Sequence, residues 1–312
     1  MSNDPKHPAM ARIDGGTHTE SIVDVLASLT GADLTTVLLE VARRRSAGLT
    51  PARVLQSYER DRFTRPSTVD PRRLMALELA AVSTVAAQRF DTICTAPLVP
   101  MGTHSTVAGV HQNRVVTTVR NTEVAADPTN TLALEAAVRR RRLLAADSRS
   151  AEVVHLAAVE RVVRAQQFDG PRSFAHFSLL GLVSAGRDGG SHQFEQTALQ
   201  HHLEALVRVV RTAGFTRVLI RLTDFGGHHT DVIDSCELGV DDVDLDIVQW
   251  PDRPSAAAYY PGVCCKVSIF HEGEEVEVGD GGFVNWTERL VGSRKERLMI
   301  SGLSLERLLT LS

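Results

Sequence analysis

The chain has 312 residues, of which 43% are hydrophobic and 23% charged, an ordinary composition for a globular protein with a full core. Its 38 acidic and 34 basic residues give a formal net charge of −4, whereas proteins that coat DNA or RNA normally carry a basic excess. No apolar run approaches the roughly 20 residues needed to span a bilayer, and the first residues lack a signal-peptide pattern. We therefore expect neither a nucleic-acid coat protein nor a membrane protein.

The chain has four cysteines, and none of them forms a CxxC pair. Cys264 and Cys265 are adjacent, so they would point to opposite faces of a strand and would not form a disulfide with each other. Cys94 and Cys236 stand alone in the sequence. A reducing compartment, the cytoplasm, is the simplest location for such a chain.

The N-terminal part of the chain separates from the rest by its pattern. Residues 1–17 are polar and contain glycine and proline, which predicts a disordered tail. Apolar residues then recur at helical spacing as far as residue 63, and Pro51 is well placed as a first helical residue. We predict a small helical module over residues 18–69. It could dock a partner or cap the core, and we favour the cap.

The remainder mixes helices and strands. The patterns predict helices over 73–89, 127–144, 191–214 and 303–311. They predict strands over 91–95, 114–119, 174–184, 217–222, 263–270, 274–278 and 297–301, with a hairpin turn at 271–273. Most strands follow one another without an intervening helix. The expected fold class is therefore α+β, with a mostly antiparallel sheet flanked by helices.

Two common kinds of site are weakly indicated. Residues 186–190 are rich in glycine but lack the GK[ST] of a phosphate-binding loop, and they predict a turn before a helix. His228 and His229 lie near Asp224 and Asp231, which would suit a metal cluster. However, the spacing matches no zinc pattern, and solvated histidines are the more common alternative.

A strand ending near Arg164 offers a better candidate site. The alternation of residues 161–166 places Arg164 on a polar face, and a loop leads from it to Phe177. A fixed guanidinium suits a phosphate, and an aromatic ring suits a nucleotide base. An ordinary hairpin with a surface arginine has the same pattern, and this segment alone favours that alternative.

The C-terminal segment 299–308 strengthens the case for an anion site. It is an apolar strand, a predicted glycine turn at Gly302, and a helix with Arg307 early in it. Glycine permits close approach of a flat ligand, and an arginine beside a helix start suits an anion. A surface arginine paired with an acidic neighbour is the alternative.

Taken in order, these segments resemble the three motifs of class II aminoacyl-tRNA synthetases. Arg164, its loop and Phe177 look like motif 2, and residues 302–307 look like motif 3. Residues 89–97, with the helix before them, are similar to motif 1, which builds the dimer interface in that class. The resemblance covers about residues 70–312 and implies a class II synthetase-like catalytic domain that forms a homodimer.

Within the class, the chain most resembles histidyl-tRNA synthetase. Residues 259–262 are similar to its YYxG segment, and residues 281–282 with a helix predicted over 283–291 are similar to its GGRYDGL segment. Residues 127–131 fall where that family has RPExT.

The resemblance implies ATP and Mg²⁺ as cofactors and an acyl-adenylate as the product. Arg164 would then neutralise the α-phosphate, Arg307 the γ-phosphate, and Phe177 would stack on adenine. Arg172 or His176 would supply the loop contact that motif 2 usually makes. The resemblance adds these residues: Gly302 and Glu306 for the nucleotide, and Thr129, Thr131, Gln166, Tyr259, Tyr260, Gly281 and Gly282 for the acid substrate.

Three acids before the glycine pair, Glu275, Glu277 and Asp280, could help to hold Mg²⁺. An exposed acidic edge strand is the equally weighted alternative.

Several positions depart from the histidyl pattern. Gln166 and Thr129 replace glutamates of motif 2 and of RPExT, while Ser255 and Phe283 replace arginines, and Arg253 lies two residues before Ser255. These changes argue for a substrate other than histidine. The chain is also too short between its sheet strands for the family's insertion domain, and nothing follows motif 3, which argues against tRNA as the acceptor.

Two functions are therefore expected. The first is a ligase that uses ATP to activate an amino acid or a related small carboxylic acid for a non-tRNA acceptor, such as a protein partner or carrier. The second is a catalytically silent regulatory subunit, similar to the partner of ATP phosphoribosyltransferase. Retention of the arginines and Phe177 favours the ligase.

Overall fold

The computed structural model describes residues 21–166 and 175–312, which belong to two compact units. The first unit holds residues 21–61 with Thr117–Thr122, and the second holds Arg62–Val116 with residues 123–166 and 175–312. The disordered tail predicted over residues 1–17 lies outside the described residues.

The first unit is helical. It contains α1 (Ile22–Ser28), α2 (Gly31–Ala47) and α3 (Pro51–Arg60). Thr30 and Thr50 cap the second and third helices, because their side chains accept hydrogen bonds from backbone amides of the first turn. No residue of the three helices is buried, so their apolar stripes build no core of their own.

The second unit has the following elements in chain order: α4 (Pro71–Ala87), β1 (Asp91–Thr92), β2 (Leu98–Pro100), β3 (Thr122–Val124, its first residue in the other unit), α5 (Pro128–Ala146), β4 (Val154–Val163), β5 (His176–Arg187), α6 (Gln193–Thr212), β6 (Arg217–Asp224), α7 (Thr230–Asp234), β7 (Asp244–Gln249), β8 (Val263–His271), β9 (Glu274–Val284), α8 (Trp286–Val291), β10 (Glu296–Ser304) and α9 (Leu305–Leu311). None of the helices among the described residues is long and apolar enough to cross a membrane.

An eight-stranded sheet dominates this unit, in the order β1-β4-β5-β10-β9-β8-β6-β7. Its neighbouring strands are antiparallel except for the two outer pairs, β1 with β4 and β6 with β7. The predicted α+β class is confirmed. The predicted hairpin is also confirmed, because Glu272 and Gly273 take the left-handed conformation of a tight turn, at φ 51° and 84°.

Three predicted elements were wrong in type or extent. Residues 114–119 do not form a strand: Gln112–Arg114 is a short 3₁₀ turn, and the strand comes later, at β3. The helix expected from residue 283 begins at Trp286, because Phe283 stays paired in β9. Gly302 is no turn either, since β10 continues through it and pairs it with strands on both sides.

Two apolar clusters fill the two faces of the sheet. One packs α4, α6 and α9 against one face, and the other packs α5 and α8 against the opposite face. Arg140 and Glu296 form a fully buried ion pair between α5 and β10. The cavity described below opens on the α5 face.

A buried polar chain crosses the α6 face. His202 shares hydrogen bonds with the hydroxyls of Ser184 and Ser301, each at 2.8 Å, and Ser184 also contacts His155 Nδ1 at 2.7 Å. Burial, with neighbouring histidines contributing, lowers the pKa of His202 well below its usual value and that of His155 to about 4. Both rings are therefore neutral at pH 7.

We expect His202→Gln to weaken the loss of stability in mild acid. A histidine with a lowered folded pKa contributes stability above its unfolded pKa near 6.5, and this is lost as pH falls. Protonation of an unfolded histidine with a pKa near 6.5 stabilises the unfolded state by about 2 kcal/mol at pH 5, and the buried His202 ring does not share this gain. Urea unfolding at pH 7.5 and pH 5 measures this. Identical pH dependence in the wild type and the variant would contradict it.

Candidate active site

A cavity of about 610 Å³ lies on the α5 face, over the middle strands of the large sheet. We call it the Gly302 cavity. Its wall contains eight of the residues expected at the nucleotide or the acid substrate: Thr129, Arg164, Gln166, Phe177, Tyr259, Tyr260, Gly302 and Arg307. The fold thus brings together residues that are up to 178 positions apart in the chain, from Thr129 to Arg307.

Arg164 follows β4, and contacts with Ala126 and Asp127 hold its guanidinium in place. Its Nε donates to the carbonyl of Ala126 at 3.0 Å, and its Nη2 contacts the carboxylate of Asp127 at 3.1 Å. Asp127 also caps α5 by accepting hydrogen bonds from Thr129. The Arg164 side chain remains 32% exposed, so its guanidinium can still meet an anion in the cavity.

Phe177 stands beside Arg164, on the neighbouring strand. The Arg164 guanidinium carbon lies 5.2 Å from the centroid of the Phe177 ring, a cation–π geometry. Both residues line the cavity. The pair thus offers a flat apolar face next to a fixed positive charge.

Arg307 reaches the same cavity from the first turn of α9. Its Nη1 donates to the carbonyl of Glu277 at 2.8 Å, which anchors the side chain without neutralising its charge. Gly302 forms part of the cavity floor between these arginines, where the absence of a side chain leaves room for a ligand.

Two tyrosines close another wall. The rings of Tyr259 and Tyr260 meet edge to face at 4.8 Å between centroids, and Tyr259 meets Trp286 at 5.7 Å. Burial raises the pKa of both hydroxyls well above the usual value, so both remain protonated donors.

Two residues expected at the nucleotide, His176 and Glu306, lie outside the cavity lining. Arg161 Nε donates to His176 Nδ1 at 3.0 Å, and His176 Nε2 donates to the carbonyl of Arg65 at 2.7 Å, so both ring nitrogens are engaged. Glu306 is buried and forms an ion pair with Arg161 at 2.9 Å. Arg172, which was expected in the same loop, lies outside the described residues.

Three residues expected at the acid substrate, Thr131, Gly281 and Gly282, also lie outside the cavity lining. Thr131 lies instead near the buried carboxyl of Glu160, whose pKa is raised by burial. Gly281 and Gly282 lie inside β9 and allow close strand and ring packing, because a Cβ at Gly282 would come within 2.6 Å of the Tyr260 ring. Their role in the fold is therefore packing.

Of the three acids considered for a metal, Glu277 and Asp280 line the cavity, Asp280 lies 3.7 Å from Arg253, and Glu275 lies outside the lining. Glu275 pairs with Arg221, and Glu277 with Lys266. His229 lies 3.6 Å from Asp224. Within residues 21–166 and 175–312, no group of three or more histidine, cysteine or acidic side chains could hold a metal ion. The described residues therefore do not provide a protein-built metal site.

No sequence pattern singled out His104, which lies in the cavity wall. This fully buried ring contacts Asn130 Nδ2 at 2.7 Å, and its Nε2 lies 3.2 Å from the Ala126 amide nitrogen. Ala126 in turn accepts the hydrogen bond from Arg164. His104 thereby fixes the backbone that orients Arg164.

Comparison with known proteins shows the fold. No protein-family model matches the chain, and no curated protein matches its sequence. Solved structures do match. The apo histidyl-tRNA synthetase of S. aureus aligns with 78% of this chain and 68% of its own, at 11% identity and a TM-score of 0.57. The chain has the class II aminoacyl-tRNA synthetase core fold predicted from its motifs.

Two further similar structures belong to the histidyl branch of that fold. One is an ATP phosphoribosyltransferase regulatory subunit/histidyl-tRNA synthetase from Bacillus halodurans, which aligns with 80% of this chain and 82% of its own at 14% identity, with a TM-score of 0.56. The other is a histidine–tRNA ligase subunit from Alicyclobacillus acidocaldarius, which covers 79% and 96% at 13% identity, with a TM-score of 0.53.

Proposed function

We propose that this chain is an adenylate-forming ligase that activates a small carboxylic acid with ATP. The convergence of Arg164, Phe177 and Arg307 on one cavity supports this most directly. A cationic pair beside an aromatic ring suits a nucleoside triphosphate, because the charges match the phosphates and the ring matches the base.

The proposed reaction uses these groups as follows. Phe177 stacks on adenine, Arg164 contacts the α-phosphate and Arg307 the γ-phosphate. A carboxylate oxygen of the acid attacks the α-phosphorus, the bond from that phosphorus to the α–β bridging oxygen breaks, and pyrophosphate leaves. The products are the acyl-adenylate and pyrophosphate. Fixed positive charge in the cavity stabilises the charge that builds up on the phosphates.

Mg²⁺ would neutralise the phosphates of ATP when it is bound with them. For the second half-reaction we propose a protein partner or carrier, rather than tRNA, as the acyl acceptor.

The free state of the four cysteines agrees with a reducing compartment such as the cytoplasm.

A second candidate is a catalytically silent regulatory subunit. The departures from the histidyl pattern at Thr129, Ser255 and Phe283 would suit lost activity as well as a new substrate. Under this proposal the arginines of the cavity would be ordinary side chains, and their substitution would not affect any adenylation.

ATP–pyrophosphate exchange separates the two candidates. Purified protein is incubated with ATP, labelled pyrophosphate and each member of a panel of amino acids, including histidine, and simple carboxylic acids. Exchange that depends on one acid supports the ligase. No exchange with any acid, together with no calorimetric binding of ATP, would contradict it and favour the regulatory subunit.

We also expect a homodimer. Met75 and Leu79 lie one helical turn apart on α4, in the motif 1 region, and are 68% and 69% exposed. Such apolar side chains commonly mark an interface. Light scattering should give twice the chain mass for the wild type and one chain mass for the double variant Met75→Glu/Leu79→Glu. A wild-type monomer at all concentrations would contradict this.

A further inference from the structure

A row of paired residues from four neighbouring strands crosses the sheet at the Gly302 cavity, and two of them, Gly302 and Asp280, line it. Gly181 of β5 pairs with Gly302 of β10, Gly302 pairs with Asp280 of β9, and Asp280 pairs with Lys266 of β8. Successive residues of this row are about 4.8 Å apart. Gly302 therefore forms a gap without a side chain between its two neighbours.

The start of α5 stands over one end of this row. A Cβ added at Gly181 would come within 2.7 Å of Pro128 Cγ, so α5 begins directly above that glycine. Asp127, next to Pro128, contacts Arg164. Gly181, beneath the start of α5, is about 10 Å from the Asp280 backbone, two strand spacings away, and Arg164 contacts the residue that caps α5.

The Asp280 carboxylate has Arg253 on its protein side and faces the cavity on its other side. Arg253 Nη2 lies 3.7 Å from its carboxylate. Arg253 itself is only 6% exposed, and its Nη1 donates to Cys264 Sγ at 3.2 Å. The Asp280 side chain is 44% exposed and lines the cavity, so the carboxylate can accept a second partner from the ligand side.

The surroundings of Asp280 leave it short of positive charge. Its pKa is raised to about 6, mainly by desolvation and also by Glu277 and Asp127, while Arg253 and Arg164 lower it. Lys266, its neighbour on β8, directs its ammonium group to Glu277. At pH 7.5 Asp280 is mostly ionised, and a cation in the cavity would stabilise it.

We propose that Asp280 binds a protonated nitrogen of the acid substrate, several bonds away from the carboxylate that is activated. This inference rests on the proposed function, which places the reacting carboxylate at Arg164. A nitrogen on the carbon next to a carboxyl lies only about 2.5 Å from the carboxyl carbon. A more distant amine, as in a basic amino acid, can cross the gap above Gly302.

Matched pairs of acids test this in the exchange assay. Lysine is compared with norleucine, ornithine with norvaline, and 4-aminobutyrate with butyrate, so that each pair differs by the distal amine. We expect the amine-bearing member of at least one pair to have a kcat/KM at least 100-fold higher than that of its partner. A cavity carboxylate left without its cation disfavours the neutral acid.

The carboxylate is tested with Asp280→Asn. This variant should lower kcat/KM for the amine-bearing acid about 100-fold, mainly through KM, and should leave ATP binding unchanged. Glu274→Gln is the matched control, because Glu274 is an exposed carboxylate on the same strand outside the cavity lining. The control should behave as the wild type. The wild-type KM for the amine should rise as pH falls below about 6, and Asp280→Asn should lack this rise.

Three results would overturn the inference. Equal exchange with both members of every pair would reject the amine contact while leaving the ligase function intact. A raised Mg²⁺ requirement in Asp280→Asn, with unchanged preference among the acids, would assign the carboxylate to a metal. Absence of exchange with every acid would reject the proposed function, and the inference with it.

Discussion

Arg164→Ala is expected to reduce ATP–pyrophosphate exchange at least 100-fold. The guanidinium is fixed by Ala126 and Asp127 and lies beside Phe177, where the proposed reaction develops negative charge on the α-phosphate. Loss of one such preorganised donor raises a barrier by about 3 kcal/mol, which corresponds to a factor of the order of 100. The decrease should appear mainly in kcat, because this charge builds up in the transition state.

A matched control distinguishes this effect from a general loss of structure. Arg141 is exposed on α5, and Arg141→Ala should retain full exchange. Arg164→Lys keeps the charge but loses the paired donors, so it should recover only part of the rate. Full exchange in a correctly folded Arg164→Ala protein would show that the cavity does not act as proposed.

Arg140→Leu is expected to have the largest effect on stability, a loss of about 3–5 kcal/mol. Arg140 and Glu296 are both fully buried, and their two contacts measure 2.7 and 3.0 Å. Arg140 also donates to the carbonyls of Ser150 and Glu152. Removing the arginine leaves a buried carboxylate without a counter-charge, which is the main cost.

Urea unfolding with two further variants checks that explanation. Arg140→Leu/Glu296→Leu removes both charges and should recover part of the lost stability. Arg139→Ala breaks partly exposed ion pairs with Glu135 and Asp91 and should cost less than about 1 kcal/mol. Equal losses in the single and double Leu variants would show that the isolated charge is not the cause.

The sequence predicted the elements whose signals are local. α5 follows from Asp127 and Pro128, a capping residue and a first helical residue. The hairpin between β8 and β9 follows from a glycine turn between two alternating segments. The order of the synthetase motifs then predicted the fold, because each motif occupies one place in it.

Features that depend on contacts distant in sequence could not be predicted. Gly302 has the sequence of a turn, but pairing with Gly181 and Asp280 keeps it in a strand. Arg253 lies two residues from the position expected for an arginine. Only the folded structure shows that its guanidinium lies 3.7 Å from the Asp280 carboxylate. His104 orients Arg164 through Ala126, a relation that no local pattern contains.

The most direct test of the central claim is the calorimetric titration of ATP into the full chain and into Arg307→Ala. Arg307 lines the cavity and its charge has no acidic partner among the described residues, so it should contribute directly to nucleotide affinity. We predict one ATP site per chain, with affinity at least 10-fold weaker in Arg307→Ala. Absence of ATP binding to the wild type, or equal affinity in both proteins, would contradict a nucleotide site in this cavity.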